Sequence, residues 1–313
     1  MTNRIAVLIP CYNEEAAIGS VVADFRAALP DAVIYVYDNN SRDLTAAVAA
    51  EAGAIVRFEP LQGKGSVVRR MFADIEADVY VMVDGDDTYH AASAPALIHK
   101  LLDGQLDMVN AARVTQVQTA YRPGHRFGNK LLTSLVAFVF GKRTADMLSG
   151  YRVFSRRFVK SFPTLVRGFE IETELTVHAL EMRMPITEVP TPYKDRPEGS
   201  VSKLSTFHDG FRILFMIGKL VKEEHPLESF VLTAGVLAVI SVLLAAPVFA
   251  TYFETGLVPR LPTAVLSTGL MIMAFLALAA GLILETVTRG RREMKRLAYL
   301  THPAPQLDPA PRR

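Results

Sequence analysis

"VMVDGDDTYH", residues 81–90, joins two kinds of chemistry. Val79 to Val83 is a run of strand formers, and Asp84, Asp86 and Asp87 follow at once. Crowded carboxylates repel one another, so such a cluster is either a solvated turn or a place where a cation sits. In an Asp-x-Asp just past a strand the chain turns, and both side chains can face one cation. A hard divalent ion then takes oxygen ligands from carboxylate and diphosphate together. A bare D-x-D is common by chance, so its meaning depends on the sequence around it.

That surrounding sequence alternates strand and helix signals. Ile5 to Ile9 is a short apolar run ended by Pro10, and Ile18, Val21, Val22, Phe25 and Leu29 recur at helical spacing. "AVIYVY" (32–37) is a second strand, stopped by "DNNSRD"; residues 43–52 read as helix and "AIVRF" (54–58) as a third strand. The glycine turn "QGKGS" (62–66) opens a helix, and "DVYVMV" (78–83) is a fourth strand. "APALIHKLLDG" (94–104) is a helix with a glycine stop, and "LDMVNAAR" (106–113) a fifth strand. Repeated β-α units predict an α/β domain, with a mostly parallel sheet and helices on both faces. Such sheets bind ligands at the carboxyl ends of their strands. "CYNEE" (11–15), "DNNSRD" (38–43) and "DGDDTY" (84–89) each follow a strand, so they should converge on one edge.

Residues 113–130 are basic and turn-rich, and a mixed region follows to about 200, with a helix near 170–183. "FHDGFRILFMIGKLVKEE" (207–224) sets bulky apolar residues against Lys and Arg at helical spacing, the pattern of an amphipathic helix at a membrane surface. Ser229 to Ala250 and Leu261 to Leu284 carry no charge. Each is longer than the roughly 20 residues that cross a bilayer. The loop "YFETGLVPR" (252–260) has one basic residue, whereas "RGRREMKR" (289–296) is rich in them. The positive-inside rule then predicts a two-span hairpin with both flanks cytoplasmic. The expected organisation is a cytoplasmic domain over 1–205, an interfacial helix over 206–226, two transmembrane helices over 227–288, and a basic, proline-rich tail over 289–313.

The totals agree with a membrane-anchored protein. Of 313 residues, 50% are hydrophobic, and the mean hydropathy is +0.23. Thirty-four basic residues face 32 acidic ones, a balance that argues against nucleic-acid binding. The single cysteine, Cys11, excludes an internal disulfide and a multi-cysteine metal site, and is expected as a reduced, buried thiol. No small-residue cleavage site follows "IAVLIP" (5–10), so this segment reads as a first strand in the cytoplasm and not as a signal peptide.

Other polar residues have more than one reading. Asp38, at a strand end, can accept hydrogen bonds from a nucleobase or ribose, while Ser41 or Asp43 suits the start of the next helix. "GKG" (63–65) combines close backbone approach with a positive charge at a helix start, which fits a phosphate. It is not a P-loop, and no G-x-G-x-x-G occurs. Glu170, Glu172 and Glu174 lie two apart and do not share one helix face, so they are not one cluster. Glu172 either positions a basic side chain or the sugar, or serves with its neighbours as helix N-terminal charge. His178 reads as packed or surface.

The ordered set "IPCYNEE", "VYDNNSRD", "GKG", "DGDD" and "SGYRVFSRR" (149–157) resembles the family 2 glycosyltransferases, specifically their dolichyl-phosphate mannosyltransferase and polyprenyl-phosphate glycosyltransferase branch. The likeness covers about residues 4–215, and the two-span end is similar to bacterial members acting on undecaprenyl phosphate. The resemblance implies a nucleotide-binding, glycosyltransferase A-type fold. It also implies inverting transfer of a sugar from a nucleotide sugar to a polyprenyl phosphate, Mg²⁺ or Mn²⁺ as cofactor, and self-association. It places Pro10, Tyr12 and Glu14 around the base and ribose with Asp38 on the base, Asp84 near ribose and metal, and Asp86 as a metal ligand; Lys64, from the "GKG" reading, is the further candidate for the donor. Asp146 and Arg152 are the further candidates for catalysis. Asp87 and Thr88 stand where relatives often carry other residues.

A lipid-phosphate acceptor is chemically consistent with these residues. Transfer to a sugar hydroxyl needs a general base. A phosphate monoester, with a second pKa of about 6, is already ionised at neutral pH and attacks unaided. The site must instead supply cations that hold two phosphates together. Arg122, Arg126, Arg152, Arg196 and Lys203, with Ser202, are the leading candidates; Arg113, Lys130 and Lys194 are weaker. Two other readings are a synthase with a saccharide acceptor and a non-catalytic scaffold. Processive synthases carry Q-x-x-R-W, which a chain without tryptophan does not contain.

Overall fold

The structure is a computed structural model, and it describes residues 3–114, 146–163, 171–194, 196 and 226–306. The chain divides into two compact units, Met1–Phe215 with Lys295–Arg313, and Met216–Met294.

The first unit is built on β1 (Ile5–Cys11), β2 (Val33–Asp38), β3 (Ile55–Phe58), β4 (Val79–Met82), β5 (Met108–Val114), β6 (Arg152–Ser155) and β7 (Ile186–Pro192). They form one sheet in the order β3-β2-β1-β4-β6-β5-β7. Among these strands only β6 is antiparallel to its neighbours, β4 and β5; the other pairings are parallel.

Helices α1 (Glu15–Ala28), α2 (Thr45–Glu51), α3 (Lys64–Asp74), α4 (Ala94–Asp103), α5 (Arg156–Ser161) and α6 (Ile171–Glu181) cover the sheet. Strand β1 shows why two layers form. Successive side chains of a strand point to opposite faces. Val7, Ile9 and Cys11 join one core with Ile18, Val22 and Phe25 of α1 and Leu97 and Leu101 of α4. Ala6 and Leu8 join the other with Val68 and Met71 of α3, Phe158 of α5 and Leu175 of α6. Each such Leu, Ile or Phe contributes roughly 1.5–3 kcal/mol by leaving water. Phe25 also meets Tyr151 edge to face at 5.8 Å, which ties α1 to the loop before β6.

Strands β6 and β7 go beyond the sequence reading. Strand β6 is four residues long, too short to show a period. Strand β7 contains Pro190 and Pro192 and pairs with β5 at the sheet edge, where a missing N–H is tolerated. Because β6 runs antiparallel, Met82 of β4 lies opposite Arg152. "SGYR" therefore arrives at the same edge as "DGDD".

The second unit contains α7 (Pro226–Thr255) and most of α8 (Leu261–Leu300). Both are long and apolar enough to cross a membrane, with only 17% and 11% of their most apolar windows buried. Their buried positions recur about every seven residues: Ala234, Ser241 and Val248 on α7, and Ser267, Ala274, Gly281 and Thr288 on α8. Small residues at that spacing let two helices approach closely. Ser241 Oγ donates to the Ser267 carbonyl at 2.7 Å.

Helix α8 continues through the basic segment "RGRREMKR" (289–296). It runs on to Leu300, because "RREMKRLAYL" (291–300) consists largely of good helix formers. The segment after Met294 belongs to the first unit. There Lys295 Nζ lies 2.7 Å from Glu181, Tyr299 donates its hydroxyl to Asp107 at 2.9 Å, and the Arg157 guanidinium sits 4.8 Å over the Tyr299 ring.

Candidate active site

The ends of β1 and β2 lie side by side, Cys11 opposite Asp38. Pro10 is buried at the end of β1, and Tyr12 is half-buried beyond it. Asn13 takes a left-handed conformation, φ 52°. Its N–H donates to Ser41 Oγ at 2.9 Å, and its Oδ1 accepts the Arg42 N–H at 2.8 Å, which stitches the two loops together. The buried Glu14 donates its N–H to Thr45 Oγ1 at 2.8 Å. Asp43, not Ser41, serves the start of α2, accepting the Thr45 N–H at 3.1 Å.

Asp38 is therefore not needed as a cap. It is 6% exposed, and its Oδ2 accepts the Ser41 N–H at 3.3 Å. Its Oδ1 is buried and has no hydrogen-bond partner among the described residues. A buried acceptor left in that state is costly unless a donor arrives, so Asp38 has the character of a ligand-binding group.

Asn39 holds the next loop and is the residue the sequence reading passed over. Its side chain donates to the carbonyls of Glu59 and Leu61 at 2.8 and 2.9 Å and accepts the Gly63 N–H at 2.7 Å. Gly63, at φ 126°, makes the turn into α3. This brings Lys64, the first residue of α3, to the acidic cluster. Lys64 Nζ lies 2.5 Å from Asp84 Oδ1 and also pairs with Glu172 of α6. Burial works against the ammonium, but the two carboxylates outweigh it and raise the Lys64 pKa.

Asp86 is 4% exposed. Its Oδ1 accepts the Thr88 hydroxyl at 2.6 Å, and its Oδ2 lies 2.6 Å from Arg196. Burial first, then the charge of Asp84, pushes the Asp86 pKa above the usual carboxylate value. Asp87, at φ 57°, turns aside to pair with Lys194 at 2.7 Å. Two glycines make this crowding feasible. A Cβ on Gly85 would meet Cys11 Sγ at 2.7 Å, and one on Gly150 would meet Asp84 Oδ2 at 2.2 Å. Cys11 is a buried free thiol, as expected.

Two of the expected catalytic residues, Arg152 and Asp146, are engaged with other residues of the protein. Arg152 has no exposed surface. Its guanidinium donates to the Ser149 and Met147 carbonyls at 3.0 and 2.7 Å and to Thr176 Oγ1 at 2.8 Å. Arg152 thus fastens the loop before β6 to α6, with its guanidinium engaged by the protein's own carbonyls and hydroxyl. Asp146 forms a two-pronged pair with Arg113, at 2.7 and 2.8 Å. Burial raises its pKa, but the Arg113 hydrogen bonds and charge prevail and hold it low. Asp146 anchors β5 in this arrangement.

Arg122, Arg126, Lys130, Glu170, Ser202, Lys203 and the interfacial helix lie outside the described residues. Glu172 positions a basic side chain, Lys64. His178 is packed: it meets Phe158 and Phe162 edge to face at 5.4 and 5.2 Å and lies 3.3 Å from Ser161 Oγ.

Asp84 and Asp86, with Lys64, Arg196 and Asp38, thus line the carboxyl edge of β1, β2 and β4. The Asp84 charge adds to the proton affinity of Asp86, and two neighbouring carboxylates, both hard oxygen donors, fit Mg²⁺ or Mn²⁺. Among the described residues no group of three or more His, Cys, Asp or Glu side chains could hold a metal.

Known proteins share this architecture. The family model for glycosyl transferase family 2 matches residues 6–162. An uncharacterized protein of Shigella flexneri is 57% identical over 155 residues, 50% of this chain and 95% of its own. A dolichyl-phosphate hexose transferase of Haloferax volcanii is 30% identical over 220 residues, 70% of this chain and 95% of its own. Glucosyl-3-phosphoglycerate synthase from Mycobacterium tuberculosis, solved with Mn²⁺, UDP-glucose and phosphoglyceric acid, superposes with a TM-score of 0.52 at 26% identity, over 62% of this chain and 73% of that one.

Proposed function

The chain belongs to glycosyl transferase family 2, and on that premise we propose that it transfers a hexose from UDP or GDP to a polyprenyl phosphate of the undecaprenyl or dolichyl type, with inversion, at the cytoplasmic face of a membrane. The acceptor phosphate oxygen bonds to the anomeric carbon, the bond from that carbon to the diphosphate breaks, and the nucleoside diphosphate leaves. A phosphate with a second pKa of about 6 supplies its own nucleophile, so no general base is required.

The observation that carries this reading is the pair of long apolar helices in the same chain as a family 2 site. A polyprenyl phosphate keeps its tail in the bilayer and its head at the interface. An enzyme held there meets it in two dimensions. The relative named as a dolichyl-phosphate hexose transferase supports the same acceptor class.

The roles follow from chemistry. Asp38 accepts from the base through its unpartnered oxygen, with Pro10, Tyr12 and Glu14 beside base and ribose. Asp86 and Asp84 would hold a divalent ion, which would neutralise the donor diphosphate when bound. Lys64 and Arg196 hold phosphate oxygens, joined by Arg122, Arg126, Ser202 and Lys203. The domain over 1–205 and both termini face the cytoplasm, the spans over 227–288 anchor it, and copies of the chain associate.

Purified full-length protein given undecaprenyl phosphate and a panel of radiolabelled UDP- and GDP-hexoses tests this. Label from one donor is expected in a lipid-extractable product. Label reaching only saccharide acceptors, or no acceptor with any donor, contradicts it.

A further inference from the structure

Lys64 carries two carboxylate partners from two different elements, and the two are not equivalent. Asp84, at the end of β4, keeps 28% of its side-chain surface exposed, while Glu172, in the first turn of α6, keeps 6%. The Lys64 side chain itself is 10% exposed. Asp84 is the partner a ligand can reach. Glu172 is set behind it, on a helix that is itself held in place. Thr176 Oγ1 donates to the Glu172 carbonyl at 3.0 Å and accepts from Arg152 Nη1 at 2.8 Å, and Arg152 grips the loop beside Asp84.

A buried ammonium that loses its counter-charge is strongly destabilising. If Asp84 turns from Lys64 to a divalent ion, the ammonium needs another carboxylate already in place. If it lacks one, it keeps its hold on Asp84 and competes with the ion.

We propose that Glu172 is a positioning residue for the metal: it retains Lys64 so that Asp84 is released to bind the divalent ion together with the donor diphosphate. The inference rests on the donor-site reading above and deepens it. Glu172 itself touches neither ion nor sugar.

Titration of Mn²⁺ into the full-length protein with UDP or GDP present, read by electron paramagnetic resonance, tests this without any turnover. Glu172→Gln is expected to weaken Mn²⁺ binding roughly 10–100-fold, the usual effect of removing a partner of a metal ligand. Glu172→Asp should recover part of the loss. In a Lys64→Met background the further change Glu172→Gln should cost nothing, because there is no ammonium left to retain. Unchanged Mn²⁺ affinity in Glu172→Gln overturns the proposal. So does an equal loss in the Lys64→Met background, which would mean that Glu172 acts on the ion directly or through the fold. If wild-type protein binds no Mn²⁺ with either nucleotide, the donor-site reading itself is wrong.

Discussion

Gly150 and Asp84 are in contact across the sheet edge: a Cβ on Gly150 would stand 2.2 Å from Asp84 Oδ2. The glycine of "SGYR" is thus required by the aspartate of "DGDD", 66 positions earlier in the numbering. Asp84 is also held by Lys64, so its carboxylate has little room to yield. Gly150→Ala should displace it and cost about 1–3 kcal/mol by overpacking. The measurement is paired: a melting midpoint for stability and Mn²⁺ affinity for the site. A substitution that leaves both unchanged would show that Asp84 does not lie against Gly150.

The same packing argument gives a stability test that can be reversed. Gly85→Ala meets Cys11 Sγ at 2.7 Å. The single variant should melt lower, by about 1–3 kcal/mol of lost stability. Cys11→Ala in the same chain should restore much of it. Additive losses in the double variant would disprove the contact.

Asp38 makes a prediction for binding alone. Its Oδ1 is buried and unpartnered among the described residues. Asp38→Ala should weaken nucleotide binding by about 1.5–3 kcal/mol, the worth of a hydrogen bond to a charged group. The melting midpoint without nucleotide should hardly fall. Calorimetric titration with UDP and GDP reads the first, a thermal scan the second. Equal affinity in variant and parent would remove Asp38 from the base.

His178 gives the pH dependence. Burial first, and then the Lys295 charge, lower its pKa from 6.5 to about 3. Between these values the unfolded chain binds a proton that the folded chain refuses. Stability from this residue therefore rises with pH across that window and is flat above it. The loss from about pH 7.5 down to about pH 5 amounts to about 2 kcal/mol. Replacing the imidazole, as in His178→Gln, should flatten that part of the curve. An unaltered slope in the variant would assign the acid loss elsewhere.

Much of the fold was legible in the sequence, and the exceptions have physical causes. The five strands up to residue 114 have clear signals because each is an apolar run closed by a polar turn. Strand β6 does not, since it begins with a buried arginine whose partners lie in the preceding loop and on α6. A sequence shows that Arg152 follows a glycine motif; it does not show that carbonyls at 147 and 149 surround the guanidinium. The acidic pair and Asp38 were legible because strand ends in a parallel sheet share one edge. Asn39 was not, because its work is done by hydrogen bonds to residues 59–63, which only the folded loop brings near. Charge marks where a bilayer stops, but a helix need not stop there, and α8 carries on through the basic segment.

In the proposed reaction an acidic pair at the end of β4 brings a nucleotide sugar to a phosphate held by a membrane lipid. Release of nucleoside diphosphate from the matching donor tests it most directly, measured with and without undecaprenyl phosphate, with and without chelator, for parent and Asp86→Ala. Release is predicted only with lipid phosphate and divalent ion both present, and its rate should fall at least about a hundredfold in the variant, as for loss of a group that stabilises developing charge. Full release in excess chelator, or release by Asp86→Ala at the parent rate, would contradict the account.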